Sequence, residues 1–198
     1  MDRDKAVGIF RECGALLEGH FGLASGRHSD TYLQCARVLQ HPRVAAQLCD
    51  ALAASWRDAG VDVVVGPATG GIIIAFELAR QLGARALFME RADGRMTLRR
   101  SFTLAPGEKV LVAEDVMTTG GSVAEVVEAA EAVGGEVVGV ACLVDRGGLR
   151  RFAAYRTASV LALDLPTYRP EDCALCRDGV PLTRPGSKGT ASRQNTPT

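Results

Sequence analysis

Apolar positions along this chain repeat with two different periods, and the switches between them outline the architecture. Between Asp4 and Gly19, Val7, Phe10, Leu16 and Leu17 recur at helical spacing and predict an amphipathic opening helix. From Phe21 to Cys35 the pattern shortens to two extended pieces around Ser25-Gly26-Arg27-His28-Ser29-Asp30, a hairpin-like turn. Pro42 suits a helix start, and Val44, Leu48, Leu52 and Trp56 share one face of a helix reaching Ala59.

A βα alternation follows. Val61–Val65, Ala84–Met89, Lys109–Ala113, Glu136–Val144 and Ser159–Leu163 read as strands. Ile72–Leu82 and Ser122–Val133 read as helices, with a short helix near Gly148–Tyr155. Strands alternating with helices predict an α/β fold, a parallel sheet flanked by helices. Glu90–Pro106 is polar, arginine-rich and long for a compact domain, which suggests a functional or mobile loop. The stretch 184–198 is rich in Gly, Ser, Thr and Pro and is expected to be disordered.

At 198 residues the chain suits one such domain with additions. Its 23 basic and 23 acidic residues balance, and no basic stripe stands out, so duplex nucleic acid is not an expected partner. No apolar run is long enough to span a bilayer, and the N-terminus lacks a signal-peptide apolar region. A cytoplasmic protein with reduced cysteines is expected. Cys13, Cys35, Cys49 and Cys142 lie among apolar neighbours and read as small core residues. Cys173 and Cys176 form a lone C-x-x-C; without a second ligand pair, zinc is the lesser reading and no protein metal centre is expected.

Candidate chemistry concentrates in Val110–Ser122, an apolar strand running into two carboxylates and then a hydroxyl- and glycine-rich turn. Glu114 and Asp115 stand where a buried parallel strand ends, and so face the crevice where open α/β sheets bind ligands. Val116, Met117, Thr118, Thr119, Gly120, Gly121 and Ser122 can wrap amides and hydroxyls around a phosphate, aided by the dipole of the next helix. A ribose carrying a 5-phosphate fits both halves. The pattern is neither G-x-G-x-x-G nor G-x-x-x-x-G-K-[ST], so the dinucleotide and P-loop readings lose their fingerprints. Two further loops end strands of the same sheet. Gly66–Gly71 brings small residues and Thr69, and reads equally as an anion loop or a plain turn. In Asp145-Arg146-Gly147-Gly148, Arg146 can hold an anionic base bidentately or form a salt bridge with Asp145.

Val110–Ser122 resembles the phosphoribosyl pyrophosphate (PRPP) signature of the type I phosphoribosyltransferases. Within them the chain is similar to the orotate phosphoribosyltransferases, through Phe21–Ser29, Gly66-Pro67-Ala68, Val144-Asp145-Arg146 and the tail Pro170–Cys176. The resemblance spans about residues 5–187. It implies a type I phosphoribosyltransferase core with an N-terminal hood: one domain over 1–183, with hood about 1–40, core about 42–165 and a C-terminal extension 166–183. The implied reaction joins orotate to the phosphoribosyl group of PRPP, with Mg²⁺ carried mainly by substrate and Asp115 as the candidate protein ligand, in a homodimer. Glu114 and Asp115 would hold ribose hydroxyls, and residues 116–122 the 5-phosphate. Ala68 and Thr69 would lie beside pyrophosphate, while Thr118, Arg146 and Tyr32 would meet the base. A purine or xanthine phosphoribosyltransferase, or a PRPP-sensing regulator without turnover, are the alternatives.

The family's mobile loop usually supplies a lysine, yet no lysine occurs here between Lys5 and Lys109. Arg91 and Arg95 take its place as candidates for stabilising pyrophosphate charge, but arginine stays protonated and cannot act as a base. Ala24 and Gly70 likewise stand where many relatives carry a basic residue.

Overall fold

The computed structural model describes residues 1–23 and 25–185. Its elements run α1 (Arg3–Glu12), β1 (Leu16–Gly22), β2 (His28–Leu33), α2 (Ala36–Leu39), α3 (Pro42–Ala53), β3 (Val63–Pro67), α4 (Gly70–Leu82), β4 (Arg85–Ala92), β5 (Arg95–Leu98) and β6 (Lys109–Met117). Then follow α5 (Gly121–Ala132), β7 (Glu136–Asp145), a 3-10 turn (Gly148–Phe152), β8 (Arg156–Ala162), a second 3-10 turn (Pro170–Asp172) and α6 (Ala174–Arg177). Ala24, and the expected disorder of 184–198 from residue 186 onward, lie outside the described residues.

The chain divides into two compact units: residues 1–16 with 33–164, and residues 17–32 with 165 onward. The hairpin thus groups with the C-terminal extension, while α1 and α2 group with the core.

In the larger unit a six-stranded sheet has the order β5-β4-β3-β6-β7-β8. β3, β4, β6, β7 and β8 run parallel to one another, as expected, and β5 adds an antiparallel edge on β4. Val63, Val65, Val110, Val112, Val140 and Cys142 share a buried cluster with Val123, Val126, Val127 and Ala130 of α5. Strand alternation turns Val64 and Leu111 to the opposite face, where α4 packs on β3, β4 and β6 and α3 on β7 and β8. A chain that covers both faces of its sheet reads as unbroken apolar runs, and that is the pattern of Val63–Val65 and Val110–Ala113.

Three expectations are corrected. The opening helix stops at Glu12, because Gly14 is left-handed (φ 60°) and closes a double cap: Gly14 N–H donates to the Arg11 carbonyl and Ala15 N–H to that of Phe10. Leu16 and Leu17 therefore belong to β1. The expected loop Glu90–Pro106 begins as the β4–β5 hairpin, turned by Asp93 (φ 49°) and Gly94 (φ 81°), a pair whose positive dihedrals suit a tight hairpin turn. Finally, β6 does not stop at Ala113 but carries Glu114 and Asp115 within it and ends at Met117.

The smaller unit is a two-stranded hairpin laced to the C-terminal stretch by backbone bonds. Thr183 N–H donates to the His20 carbonyl and Gly22 N–H to that of Thr183, each at 2.8 Å; His28 and Tyr168 exchange both of theirs at the same length. Ser29 Oγ donates to the Pro166 carbonyl at 2.9 Å, and Arg27 Nε to Thr167 Oγ1 at 2.8 Å.

Candidate active site

β3 and β6 are neighbours, yet the chain leaves β3 toward β4 on one side and reaches β7 from β6 on the other. Sheet order therefore reverses between β3 and β6, which opens a crevice at their carboxyl ends. Pro67 closes β3 and Met117 closes β6, so this crevice receives both the Gly66–Gly71 loop and the Val116–Ser122 loop.

Apolar anchoring holds the carboxylates there. Val110, Leu111, Val112 and Ala113 are fully buried, while Glu114 and Asp115 are half-buried on the same strand. Asp115 N–H donates to Glu114 Oε1 at 3.0 Å, and Val116 N–H to Asp115 Oδ1 at 2.7 Å. Burial, and then the neighbouring charge of Asp115, push the Glu114 carboxyl up to about 8. Two acids so placed favour an arriving cation or hydroxyl donors, which relieve their repulsion.

The Gly66–Gly71 loop meets the same acids. A Cβ on Gly70 would stand 2.5 Å from Asp115 Oδ2, and one on Gly71 3.2 Å from Glu114 Oε1. Small residues here are thus a packing requirement of the carboxylates. Ala68 and Thr69 are exposed just before α4, and the peptide between them is cis.

Glu114 and residues 116–123 line a cavity of about 80 Å³. α5 starts at Gly121, so the first-turn N–H groups of Gly121, Ser122 and Val123 fall at this cavity and lack helical acceptors. Thr118 and Thr119 are exposed beside it, and Thr119 Oγ1 accepts from Gly121 N–H at 3.4 Å. Such a shell of amides and hydroxyls suits a phosphate group.

The third loop abuts the second. Arg146 N–H donates to the Met117 carbonyl at 2.8 Å, and a Cβ on Gly148 would come within 2.9 Å of the Thr118 carbonyl. Asp145 Oδ1 accepts from Gly147 N–H at 2.9 Å and Leu149 N–H at 3.1 Å, so this acid orders the turn that presents Arg146. Glu114, Asp115, residues 116–122, Ala68, Thr69 and Arg146 are therefore brought together.

Arg91 and Arg95 are placed elsewhere in the same unit. Arg91, on β4, pairs with Glu125 of α5 at 2.8 Å and donates to the Gly94 carbonyl at 2.7 Å. Arg95, on β5, lines a second cavity with Met96, Glu125 and Glu128. Tyr32 lies on β2 in the smaller unit, its ring 5.6 Å from that of Phe21. Cys35, Cys49 and Cys142 are buried, as expected for small core residues, and Cys13 is half-buried. The lone C-x-x-C does have companions: His20 and His28 converge on Cys173 and Cys176 in the smaller unit, a grouping with no signal in local sequence spacing. Among the described residues, no helix is long and apolar enough to cross a membrane.

Known proteins give this geometry a family. The model of the phosphoribosyl transferase domain matches residues 35–163. An orotate phosphoribosyltransferase from Desulforamulus reducens is 53% identical over 188 residues, covering 95% of this chain and 98% of that protein. The crystal structure of orotate phosphoribosyltransferase from Aeropyrum pernix superposes with a TM-score of 0.68 at 29% identity, covering 79% of this chain and 92% of that one. That of the Mycobacterium tuberculosis enzyme in complex with PRPP gives 0.65 at 29% identity, over 81% and 96% of the two chains. The chain belongs to the phosphoribosyltransferase family, and within it to the orotate phosphoribosyltransferases.

Proposed function

We infer that this protein transfers the 5-phosphoribosyl group of PRPP to orotate, giving orotidine 5′-phosphate and pyrophosphate. The observation that carries the reading is the convergence of an acid pair, a small-residue loop and a phosphate-sized amide shell at one sheet crossover, in a chain whose relatives share about half its residues.

The residues divide the labour. Glu114 and Asp115 hold the ribose 2- and 3-hydroxyls, while residues 116–122 grip the 5-phosphate and fix the anomeric carbon. As orotate nitrogen bonds to that carbon and the bond to pyrophosphate breaks, positive charge grows on the ribose and negative charge on the leaving group. Asp115 stabilises the first without reorganising, because its Oδ1 is already held by the Val116 N–H, while Glu114 serves as a hydrogen-bond partner of the ribose hydroxyls. Ala68 and Thr69 flank the leaving pyrophosphate, and Arg146 and Thr118 meet the edge of orotate. Arg91 and Arg95 stabilise pyrophosphate charge in the site of a neighbouring subunit, so the working form is a homodimer. The protein acts in the cytoplasm.

Mg²⁺ fits the oxygen donors present, since Glu114 and Asp115 repel each other. When bound by Asp115, substrate oxygens and water, it would neutralise charge on the pyrophosphate. Incubation with PRPP, Mg²⁺ and a panel of bases tests the reading. Consumption of orotate with matching pyrophosphate release is expected. Consumption of a purine instead, or saturable PRPP binding without product from any base, would overturn it.

A further inference from the structure

We propose that the smaller unit is built around a tetrahedral zinc ion held by His20 Nε2, His28 Nδ1, Cys173 Sγ and Cys176 Sγ. None of its four ligands belongs to the set assigned to the phosphoribosyl chemistry. The four atoms lie within 4.8 Å of one another, although their residues come from β1, β2 and a segment about 150 positions further along the chain. Zinc bonds of about 2.0–2.1 Å to nitrogen and 2.3 Å to sulfur set the edges of a tetrahedron at about 3.3 Å between nitrogens and about 3.6 Å from nitrogen to sulfur. The observed separations are 3.0 Å between the imidazole nitrogens, 3.5 and 3.7 Å from His20 Nε2 to the two sulfurs, and 3.2 Å from His28 Nδ1 to Cys176 Sγ. These four edges are each within a few tenths of an ångström of the tetrahedral values.

Hydrogen bonding alone accounts poorly for this convergence. His20 Nδ1 sits 2.7 Å from the Val180 carbonyl, which can only accept, so that nitrogen carries the proton. Nε2 then offers a single lone pair toward His28 Nδ1 and both sulfurs. One lone pair bonds well to one donor, whereas a cation at the centre of the four atoms satisfies all of them. The Val180 carbonyl is also the kind of outer partner that fixes the ring of a metal-bound histidine.

Composition points the same way. Among the described residues, the buried side chains of this unit are Phe21, Ser29, His20, His28 and Cys173. A two-stranded hairpin with so little apolar burial is marginal by itself. Four protein ligands leave no open position, which marks a structural site, and two imidazoles with two thiolates suit zinc. Binding releases the two thiol protons to solvent as both sulfurs become thiolates.

Untagged full-length protein, purified under reducing conditions, should carry about one zinc per chain by elemental analysis. Replacing zinc with Co²⁺ should give the thiolate charge-transfer band and strong visible bands of a tetrahedral N₂S₂ ion. Cys176→Ser, at an exposed position, should weaken that charge-transfer band and lower metal retention at least ten-fold. Folded wild-type protein that takes up neither zinc nor tetrahedral cobalt would overturn the proposal. So would a Cys173–Cys176 disulfide in fresh protein, or a Cys176→Ser spectrum identical to wild type.

Discussion

The two units of this protein bury opposite kinds of side chain. In the larger, Val63–Val65 and Val110–Ala113 fill the interior, and no charged side chain is buried among the described residues. In the smaller, histidines and a cysteine occupy the interior, and aliphatic side chains contribute little. A sheet covered on both faces gains enough from apolar burial to hold Glu114 half-buried on the central strand β6 in a costly protonation balance. A hairpin with one buried aromatic has no such surplus and relies on directed bonds. Stability and chemistry thus have different sources in the two units, and each can be perturbed separately.

Removing the ion proposed for the smaller unit should separate them most sharply. Chelation is expected to loosen the backbone around Arg27 and Arg177 of that unit and so speed tryptic cleavage after them. It should leave the helical circular dichroism nearly unchanged, because α1, α3, α4 and α5 all lie in the larger unit. Cooperative loss of the helical signal along with the ion would show that the two are energetically inseparable.

The converse perturbation is Gly139→Ala in the larger unit. The added Cβ would stand 2.2 Å from the Trp56 ring and 2.6 Å from the Arg156 carbonyl, and Trp56 is buried. Overpacking of this kind costs about 1–3 kcal/mol or more, visible as a lower urea midpoint with metal content unchanged. Gly70→Ala aims at chemistry rather than stability. Its methyl would collide with the Asp115 carboxylate, so kcat/KM should fall about 100-fold, roughly the effect of misplacing a reacting group by 1 Å. Wild-type kinetics from that variant would remove Asp115 from the site.

A smaller effect concerns pH. Glu114 holds its proton up to about 8 in the folded protein, whereas the unfolded chain loses it near the ordinary 4.5. The folded state therefore binds more protons between those values, and its stability falls as pH rises through that window. Glu114→Gln should melt higher than wild type at pH 8 and converge with it near pH 4, as thermal scans across pH would report. Smallest of all, Arg91→Ala breaks an exposed, solvent-screened pair with Glu125 and should leave the urea midpoint nearly unchanged.

How much of this was legible in the sequence follows from how far apart the partners lie. Glu114, Asp115 and Thr118–Ser122 are contiguous, so strand, acid pair and helix start could be read together, and the sheet they belong to followed from the βα alternation. Leu16 and Leu17 fit a helix face and a strand equally well; only the left-handed Gly14 between them and α1 decides. Asp93-Gly94 was a hairpin signal masked by the arginines around it. His20 could not be paired with the C-x-x-C, because 153 positions separate it from Cys173 and nothing local marks His20 as a ligand.

The deciding quantity for the active site is the rate of orotidine 5′-phosphate formation by wild type and by a Glu114→Gln/Asp115→Asn variant of matched thermal stability. Wild type should form the nucleotide with stoichiometric pyrophosphate, and the variant should be slower by about 10²–10³-fold, as expected when preorganised charge stabilisation is removed. A variant that makes orotidine 5′-phosphate at the wild-type rate, or a wild type that makes none, would contradict this assignment of the acid pair.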